Sequence, residues 1–300
     1  MASNERTSLS KSGPKTSDEK PSTIDAYDGL EQAPRSFRLS WDGSKSSNVE
    51  RVSIQVEDAL DGFVPAFLHL PSDFVSPAPH DHHRTAAILL SGAGGGVAGP
   101  SSIYLSLAAK LAALSTGIPA LRLDYRYPGR NKYCVDDVKA ALSFLQETHG
   151  LDRFVLIGWS FGGAPVFTMG GSDDRITGCA TVASQTAETE GIQRLAPTPV
   201  LLLHGTADKT LGPSCSQRLY DMYGEMGNRH IHLFEDDDHA LSHNASTAEN
   251  MLLKFVIGCA GLDVSKSELK RISSKVLVED GERQELMKKG GDLRSPESIS

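Results

Sequence analysis

Residues 154–163 of the chain read Phe-Val-Leu-Ile-Gly-Trp-Ser-Phe-Gly-Gly. The first four form an uninterrupted apolar run, which is typical of a strand buried on both faces of a sheet. Residues 164–169 can continue as a helix if Pro165 lies in its first turn. A serine at the turn between such a strand and a helix, flanked by glycines, matches the G-x-S-x-G pattern in which a strained backbone exposes a nucleophilic hydroxyl. The stretch therefore predicts that Ser160 is a nucleophile at the apex of a strand–turn–helix unit.

The chain also carries an acid and a base in the order that this kind of site requires. Asp208 follows a predicted strand at 199–203, and His239 follows a last predicted strand at 230–234. Both lie just past the carboxyl end of a strand, where open α/β sheets assemble their sites. His243 is a rival base, although His239 comes sooner after its strand. The pentapeptide alone also arises by chance in Gly-rich turns, but the three residues in this order favour a triad of Ser160, Asp208 and His239.

These residues resemble the α/β-hydrolases over residues 51–261, and most of all their compact dienelactone-hydrolase-like serine members. The resemblance implies an α/β fold: a three-layer sandwich with a mostly parallel eight-stranded sheet, helices on both faces and a Ser-Asp-His triad. Dienelactone hydrolases proper use a cysteine nucleophile, whereas this chain has Ser160. Dienelactone is therefore not implied as the substrate.

A Gly-rich segment at 91–96 follows the third predicted strand, at 86–90. In such folds, a backbone N–H from this loop and that of the residue after the nucleophile stabilise the oxyanion of acyl transfer. We expect Phe161 to supply one donor and either Ala93 or Gly94 to supply the other. As a phosphate-binding loop the segment lacks the G-x-x-x-x-G-K-[ST] pattern.

Apolar and alternating runs predict the remaining elements of the sheet. Strands are expected at 51–56, 63–70, 120–124 and 177–183, and helices at 103–114, 135–148 and 249–259. Only residues 184–197 are available for a lid between strands six and seven, which is too few for a helical cap domain. The sequence thus predicts little or no cap and an open cleft, over which residues of either tail could lie.

Three further side chains follow predicted strands closely enough to border the cleft, and we predict that Trp159, Tyr125 and Arg126 bind substrate. Two have structural alternatives, since Trp159 is equally suited to packing and Arg126 to pairing with a surface acid. The His-Asp-His-His run at 80–83 lies in a Pro-rich loop, where adjacent imidazoles seldom converge on one ion. We predict no metal site and no cofactor.

Composition fits one enzyme domain with polar ends. The net charge of −8 argues against nucleic acid as the main partner, and no stretch is long and apolar enough to span a membrane. The polar N-terminus without an apolar segment, and four scattered cysteines read as free thiols, predict a cytoplasmic protein. The Ser-rich residues 1–50 are expected to be a disordered tail, residues 51–261 the hydrolase-like domain, and residues 262–300 a short amphipathic helix, which begins with a capping box at Ser265, and a polar tail.

The function predicted from these features is hydrolysis of a small or accessible carboxylic ester, lactone or thioester through an acyl-enzyme on Ser160. A small-molecule acyl compound is the expected partner. Two alternatives stay open: a non-hydrolytic enzyme on the same fold (an acyltransferase, lyase or cyclase), or a binding or scaffold protein. The oligomeric state and the identity of the acyl group are not determined by the sequence.

Overall fold

The computed structural model describes residues 23–39, 47–58, 60–80 and 82–299 of the chain. Within these ranges the strands are β1 Ser47–Gln55, β2 Phe63–Pro71, β3 Thr85–Leu90, β4 Ala120–Leu123, β5 Arg153–Trp159, β6 Ile176–Val182, β7 Val200–Gly205 and β8 Arg229–Phe234. The α-helices are α1 Ile103–Ala112, α2 Asn131–His149, α3 Gly163–Gly170, α4 Ser214–Tyr223, α5 Ala245–Cys259, α6 Lys266–Ser273 and α7 Arg283–Lys289.

The strands form one sheet in the order β1-β2-β4-β3-β5-β6-β7-β8. Only β2 runs against its neighbours: it pairs antiparallel with β1 and with β4, and all the other pairs are parallel. Parallel neighbours are joined by helical crossovers, so their carboxyl ends meet at one edge. The predicted eight-stranded, mostly parallel sheet is confirmed.

Helices cover both faces of the sheet because its central strands are apolar on both sides. In β3, Ala87 and Leu89 pack on the face covered by α1 and α5, whereas Ile88 and Leu90 pack on the face covered by α2, α3 and α4. All six residues of this strand are buried. The uninterrupted apolar runs of the sequence therefore become the middle layer of a three-layer sandwich.

The connection between β6 and β7 contains one short 3-10 helix, Glu190–Arg194, and no cap domain. The prediction of a site without a cap is confirmed. Among the described residues no helix is long and apolar enough to cross a membrane.

The N-terminal segment 23–39 differs from the expected disordered tail. It forms two 3-10 helices, Ile24–Tyr27 and Ser36–Leu39, and the side chains of Ile24, Tyr27 and Leu30 are buried in the core. The buried Arg122 guanidinium fixes it further by donating to the carbonyls of Leu30 (2.7 Å) and Glu31 (2.8 Å). The low apolar content of residues 1–50 as a whole concealed these few buried residues. Residues 1–22 and 40–46 of the predicted tail lie outside the described ranges.

The C-terminal segment contains the expected short helix and continues beyond it as packed structure. The hydroxyl of Ser265 accepts a hydrogen bond from the Glu268 N–H (3.2 Å) and so begins α6. The following residues were expected to be a polar tail, but they form α7, and Val278 and Met287 are buried in the core. This packing brings residues 290–299 to the sheet edge at which the predicted site residues lie.

Candidate active site

Ser160 lies at a sharp turn between β5 and α3. Its backbone has φ +53°, a left-handed conformation that a residue with a side chain adopts only under strain. The turn needs small neighbours, because a Cβ on Gly162 would lie 2.7 Å from the carbonyl oxygens of both Leu90 and Ser91. One on Gly158 would collide with the carbonyl of Gly162. The glycines of the motif thus allow the turn to pack against the end of β3.

The structure brings His239 and Asp208 together from the loops that follow β8 and β7. The Nδ1 atom of His239 lies 2.6 Å from Oδ2 of Asp208, and neither side chain is exposed. Burial alone would raise the pKa of Asp208, but hydrogen bonds from His204 and His239 outweigh it and hold this pKa well below its usual range. Asp208 is therefore a carboxylate that orients the imidazole with its Nδ1 as donor.

His204, which we had not assigned to the site, fixes Asp208 in turn. Its Nε2 faces Oδ2 of Asp208 (3.1 Å) and the Leu211 carbonyl (2.9 Å), both acceptors, and its Nδ1 lies 2.7 Å from the Ser216 hydroxyl. The other carboxylate oxygen, Oδ1, accepts from the backbone N–H groups of Thr210 and Leu211. A histidine at the end of β7, four residues before the acid, was the sequence signal for this role.

The turn that carries His239 is organised by a buried carboxylate, Asp237. Its two oxygens accept hydrogen bonds from the backbone N–H groups of Asp238, His243 and Asn244. His243, the rival base, has 74% of its side chain exposed and faces Asp237 rather than Ser160. Of the two histidines, His239 is therefore the one that is buried and paired with Asp208.

Both Ser160 and the Gly-rich loop after β3 contact the side chain of Glu297. The N–H of Ala93 points into the site and donates to a carboxylate oxygen, Oε2 of Glu297 (2.6 Å). The carbonyl of Gly94 accepts from Arg294 (3.3 Å). Phe161 directly follows Ser160 in the short 3-10 helix Ser160–Gly162, so its backbone lies beside the nucleophile. Of the two loop donors left open by the sequence, Ala93 is the one whose N–H meets an anionic oxygen.

Glu297 is the residue of the site that sequence reasoning missed. Its Oε1 lies 3.2 Å from both the Ser160 hydroxyl and Nε2 of His239, and only 2% of the side chain is exposed. Burial alone would lower the pKa of His239, but the hydrogen bond with Asp208 and the negative charges of Asp208 and Glu297 outweigh it and raise this pKa to about 9. Both ring nitrogens face a carboxylate oxygen, an arrangement that favours the protonated imidazole.

The three residues predicted to bind substrate have internal partners. Trp159 is fully buried and its Nε1 donates to the His239 carbonyl (3.0 Å). Tyr125 is also fully buried and packs edge-on against the Phe161 ring. Arg126 pairs with Asp58 (2.7 Å) and Asp137 (2.5 Å). The structure thus favours the packing alternative for Trp159 and the ion-pair alternative for Arg126, because neither side chain is free to meet a ligand.

Among the residues that the structure describes, no three His, Cys, Asp or Glu side chains are grouped closely enough to hold a metal ion.

A family model described as the alpha/beta hydrolase fold matches residues 65–237. Among solved structures, Est1E from Butyrivibrio proteoclasticus is similar, with 15% identity, a TM-score of 0.55, and coverage of 70% of this chain and 99% of that one. A lidless α/β serine hydrolase from Xanthomonas campestris has 15% identity and a TM-score of 0.52, over 70% of this chain and 94% of that one. Dienelactone hydrolase from Anabaena variabilis has 13% identity and a TM-score of 0.57, over 71% and 98%. A comparison of the sequence with curated proteins finds no match. At these identities the structural likeness concerns the fold.

Proposed function

This chain belongs to the α/β-hydrolase fold family, and we propose that it is a serine hydrolase that cleaves a small or accessible carboxylic ester, lactone or thioester. The observation that carries the proposal is the convergence of the strained Ser160, the buried pair of His239 and Asp208, and the inward N–H of Ala93 on one carboxylate. A hydrolase that ends its reaction with a bound acid needs this set of contacts. The names of the similar structures, which include an esterase domain and a dienelactone hydrolase, support the same reaction class.

The proposed reaction has two steps. Neutral His239, oriented by Asp208, accepts the Ser160 proton as the hydroxyl oxygen attacks the substrate carbonyl. The N–H groups of Ala93 and Phe161 stabilise the oxyanion, and His239 then donates the proton to the leaving alcohol or thiol. Water repeats the sequence on the acyl-enzyme, which releases the carboxylic acid and restores Ser160.

Labelling with a fluorophosphonate, read by intact mass, tests the nucleophile. We expect one adduct on the wild type, none on Ser160→Ala or His239→Ala, and an unchanged adduct on Ser143→Ala, which removes an exposed serine of α2. Because Glu297 lies against Ser160, the same comparison is also made in a Glu297→Ala background. Folded protein that remains unlabelled in both backgrounds would refute the assignment and favour a binding protein.

Product analysis separates hydrolysis from acyl transfer. p-Nitrophenyl esters of increasing chain length and simple lactones are offered with and without a competing alcohol. Free acid as the main product supports hydrolysis, whereas a new ester formed at low alcohol concentration would reassign the chain to the acyltransferases.

A further inference from the structure

The proposed active site is filled by a side chain of the same chain. We infer that residues 295–299 form an autoinhibitory arm in which Glu297 takes the place of the product carboxylate. This inference rests on the proposed function, because it assigns Glu297 to the acyl site of that reaction.

The contacts of Glu297 are those of a bound product acid. One carboxylate oxygen accepts from the Ala93 N–H (2.6 Å), where the oxyanion would lie. The other lies 3.2 Å from both the Ser160 hydroxyl and Nε2 of His239, between nucleophile and base. A substrate carbonyl needs the same space and the same donor, so substrate and Glu297 exclude each other.

The arm also keeps the base in the wrong protonation state. Removal of the Ser160 proton requires an unprotonated Nε2 on His239. With Glu297 in place a negative charge lies against that nitrogen, and the cationic imidazole is stabilised from both sides. The closed site is therefore blocked by occupancy and by charge together.

A buried anchor just before the arm directs it into the site. The carboxylate of Asp292 is fully buried and accepts from the Ser91 hydroxyl (2.5 Å) and from the backbone N–H groups of Ala98 (2.9 Å) and Gly99 (2.7 Å). The loop admits the segment because two of its residues are glycines at the points of contact: a Cβ on Gly94 would collide with the Arg294 backbone, and one on Gly92 with the Glu297 carboxylate.

The arm has its own contacts. Ser295, Pro296 and Ser298 are exposed, whereas the Glu297 side chain is buried and the partly buried Ile299 packs against the core. The Glu297 N–H donates to the Arg294 carbonyl (2.9 Å). The Ser298 carbonyl accepts from the Thr210 hydroxyl (3.3 Å) at the rim. Opening the site thus requires residues 295–299 to leave these contacts, while Asp292 remains in place.

The test compares fluorophosphonate labelling rates of the full-length wild type, Glu297→Ala and Glu285→Ala, which removes an exposed glutamate of α7. The labelling rate scales with the fraction of molecules in which residues 295–299 have left the site. If closed molecules outnumber open ones by about ten to one, removing the closed state raises the rate about tenfold. We expect Glu297→Ala to be labelled at least about tenfold faster, and Glu285→Ala at the wild-type rate. Thermal unfolding of each variant shows that the fold is retained.

Two further measurements separate occupancy of the site from a change in packing. Sodium acetate should slow the labelling of Glu297→Ala and leave the wild type unchanged, with sodium chloride as the ionic-strength control. Glu297→Gln keeps the shape of the side chain but removes its charge. It should move the midpoint of the pH–labelling profile below the wild-type value, since one of the two carboxylates that raise the His239 pKa to about 9 is lost.

Equal labelling rates of the wild type, Glu297→Ala and Glu297→Gln would refute the autoinhibitory role of residues 295–299. The proposal that the chain is a serine hydrolase would be unaffected. Slower labelling of both Glu297 variants would also refute the autoinhibitory role, because Glu297 would then assist the reaction. If no folded variant is labelled, the proposed function fails, and the arm fails with it.

Discussion

Gly162→Ala tests whether the close packing at the Ser160 turn governs both stability and reactivity. Gly162 has φ −55°, which alanine adopts freely, so the added Cβ acts only through contact. That atom would lie 2.7 Å from two backbone oxygens, those of Leu90 and Ser91, at the end of β3. Because β3 is paired on both sides, these carbonyls cannot move without disturbing the sheet. Overpacking of this kind costs about 1–3 kcal/mol, and backbone on both sides places this site near the upper end.

Gly258→Ala is the matched control. Gly258 lies in α5 and a Cβ there has nothing within 4 Å. The gain in helix propensity should stabilise the protein by up to about 1 kcal/mol. Both changes restrict the unfolded chain similarly, and this restriction is the main source of the helix-propensity gain, so the difference between their free energies of unfolding reports the contact at Gly162. We expect Gly162→Ala to be less stable than Gly258→Ala by about 3 kcal/mol.

Urea unfolding followed by circular dichroism measures the two free energies of unfolding, and fluorophosphonate labelling measures the reactivity of Ser160. Gly162→Ala should also be labelled more slowly, because Ser160 and the N–H of Phe161 lie in the displaced turn. Unfolding free energies within 0.5 kcal/mol of each other, about the usual range for surface changes, would refute the packing explanation.

Three other predictions concern the acid and the base. Asp208→Asn should lower kcat on p-nitrophenyl esters by about 10³- to 10⁴-fold, because an amide no longer stabilises the imidazolium; an activity within tenfold of wild type would contradict the role of Asp208. His204→Ala should lower the free energy of unfolding by about 1–3 kcal/mol, since it leaves the Ser216 hydroxyl and the Leu211 carbonyl without their partner. Unchanged stability in urea would show that water replaces the ring. The His239 pKa is raised from 6.5 to about 9, so its ion pairs stabilise the fold fully below pH 6.5 and lose this contribution as the pH rises through 9. The stability difference between wild type and His239→Gln should therefore fall over that interval, by at most about 1.4 kcal/mol per pH unit; a difference independent of pH would contradict the raised pKa.

The fold was predictable because its signals are local. The central strands are short apolar runs that end in loops with small or polar residues, and both properties are visible in a single sequence. The order of Ser160, Asp208 and His239 after what are now β5, β7 and β8 placed them at one sheet edge. There His239 pairs with Asp208, and Glu297 contacts both His239 and Ser160. The boundaries differ modestly, as in α2, which spans Asn131–His149 where 135–148 was expected.

The segments that were misjudged are stabilised by contacts far apart in the chain. Nothing near Tyr27 in the sequence indicates that its hydroxyl meets Asp124 and Arg294. The segment after α6 likewise looked like a polar tail, because isolated buried residues such as Met287 make no periodic pattern of their own. The mean composition of such a segment is dominated by its polar residues, so an inference from composition predicts disorder even where a few apolar residues are buried.

Glu297 shows most clearly what chain order alone conceals. It lies 137 residues from Ser160, in a stretch with no motif, and the buried Asp292 anchor precedes it by five residues. The Gly-rich loop was predicted to supply a backbone donor to the substrate oxyanion, and the N–H of Ala93 in this loop donates to Glu297. A backbone donor beside glycines can meet either occupant, so the sequence predicts the donor but not the group that it meets. The preference between the two is set by a few exposed residues at the rim, where a change in the arm alters access to the site without altering Ser160, Asp208 or His239.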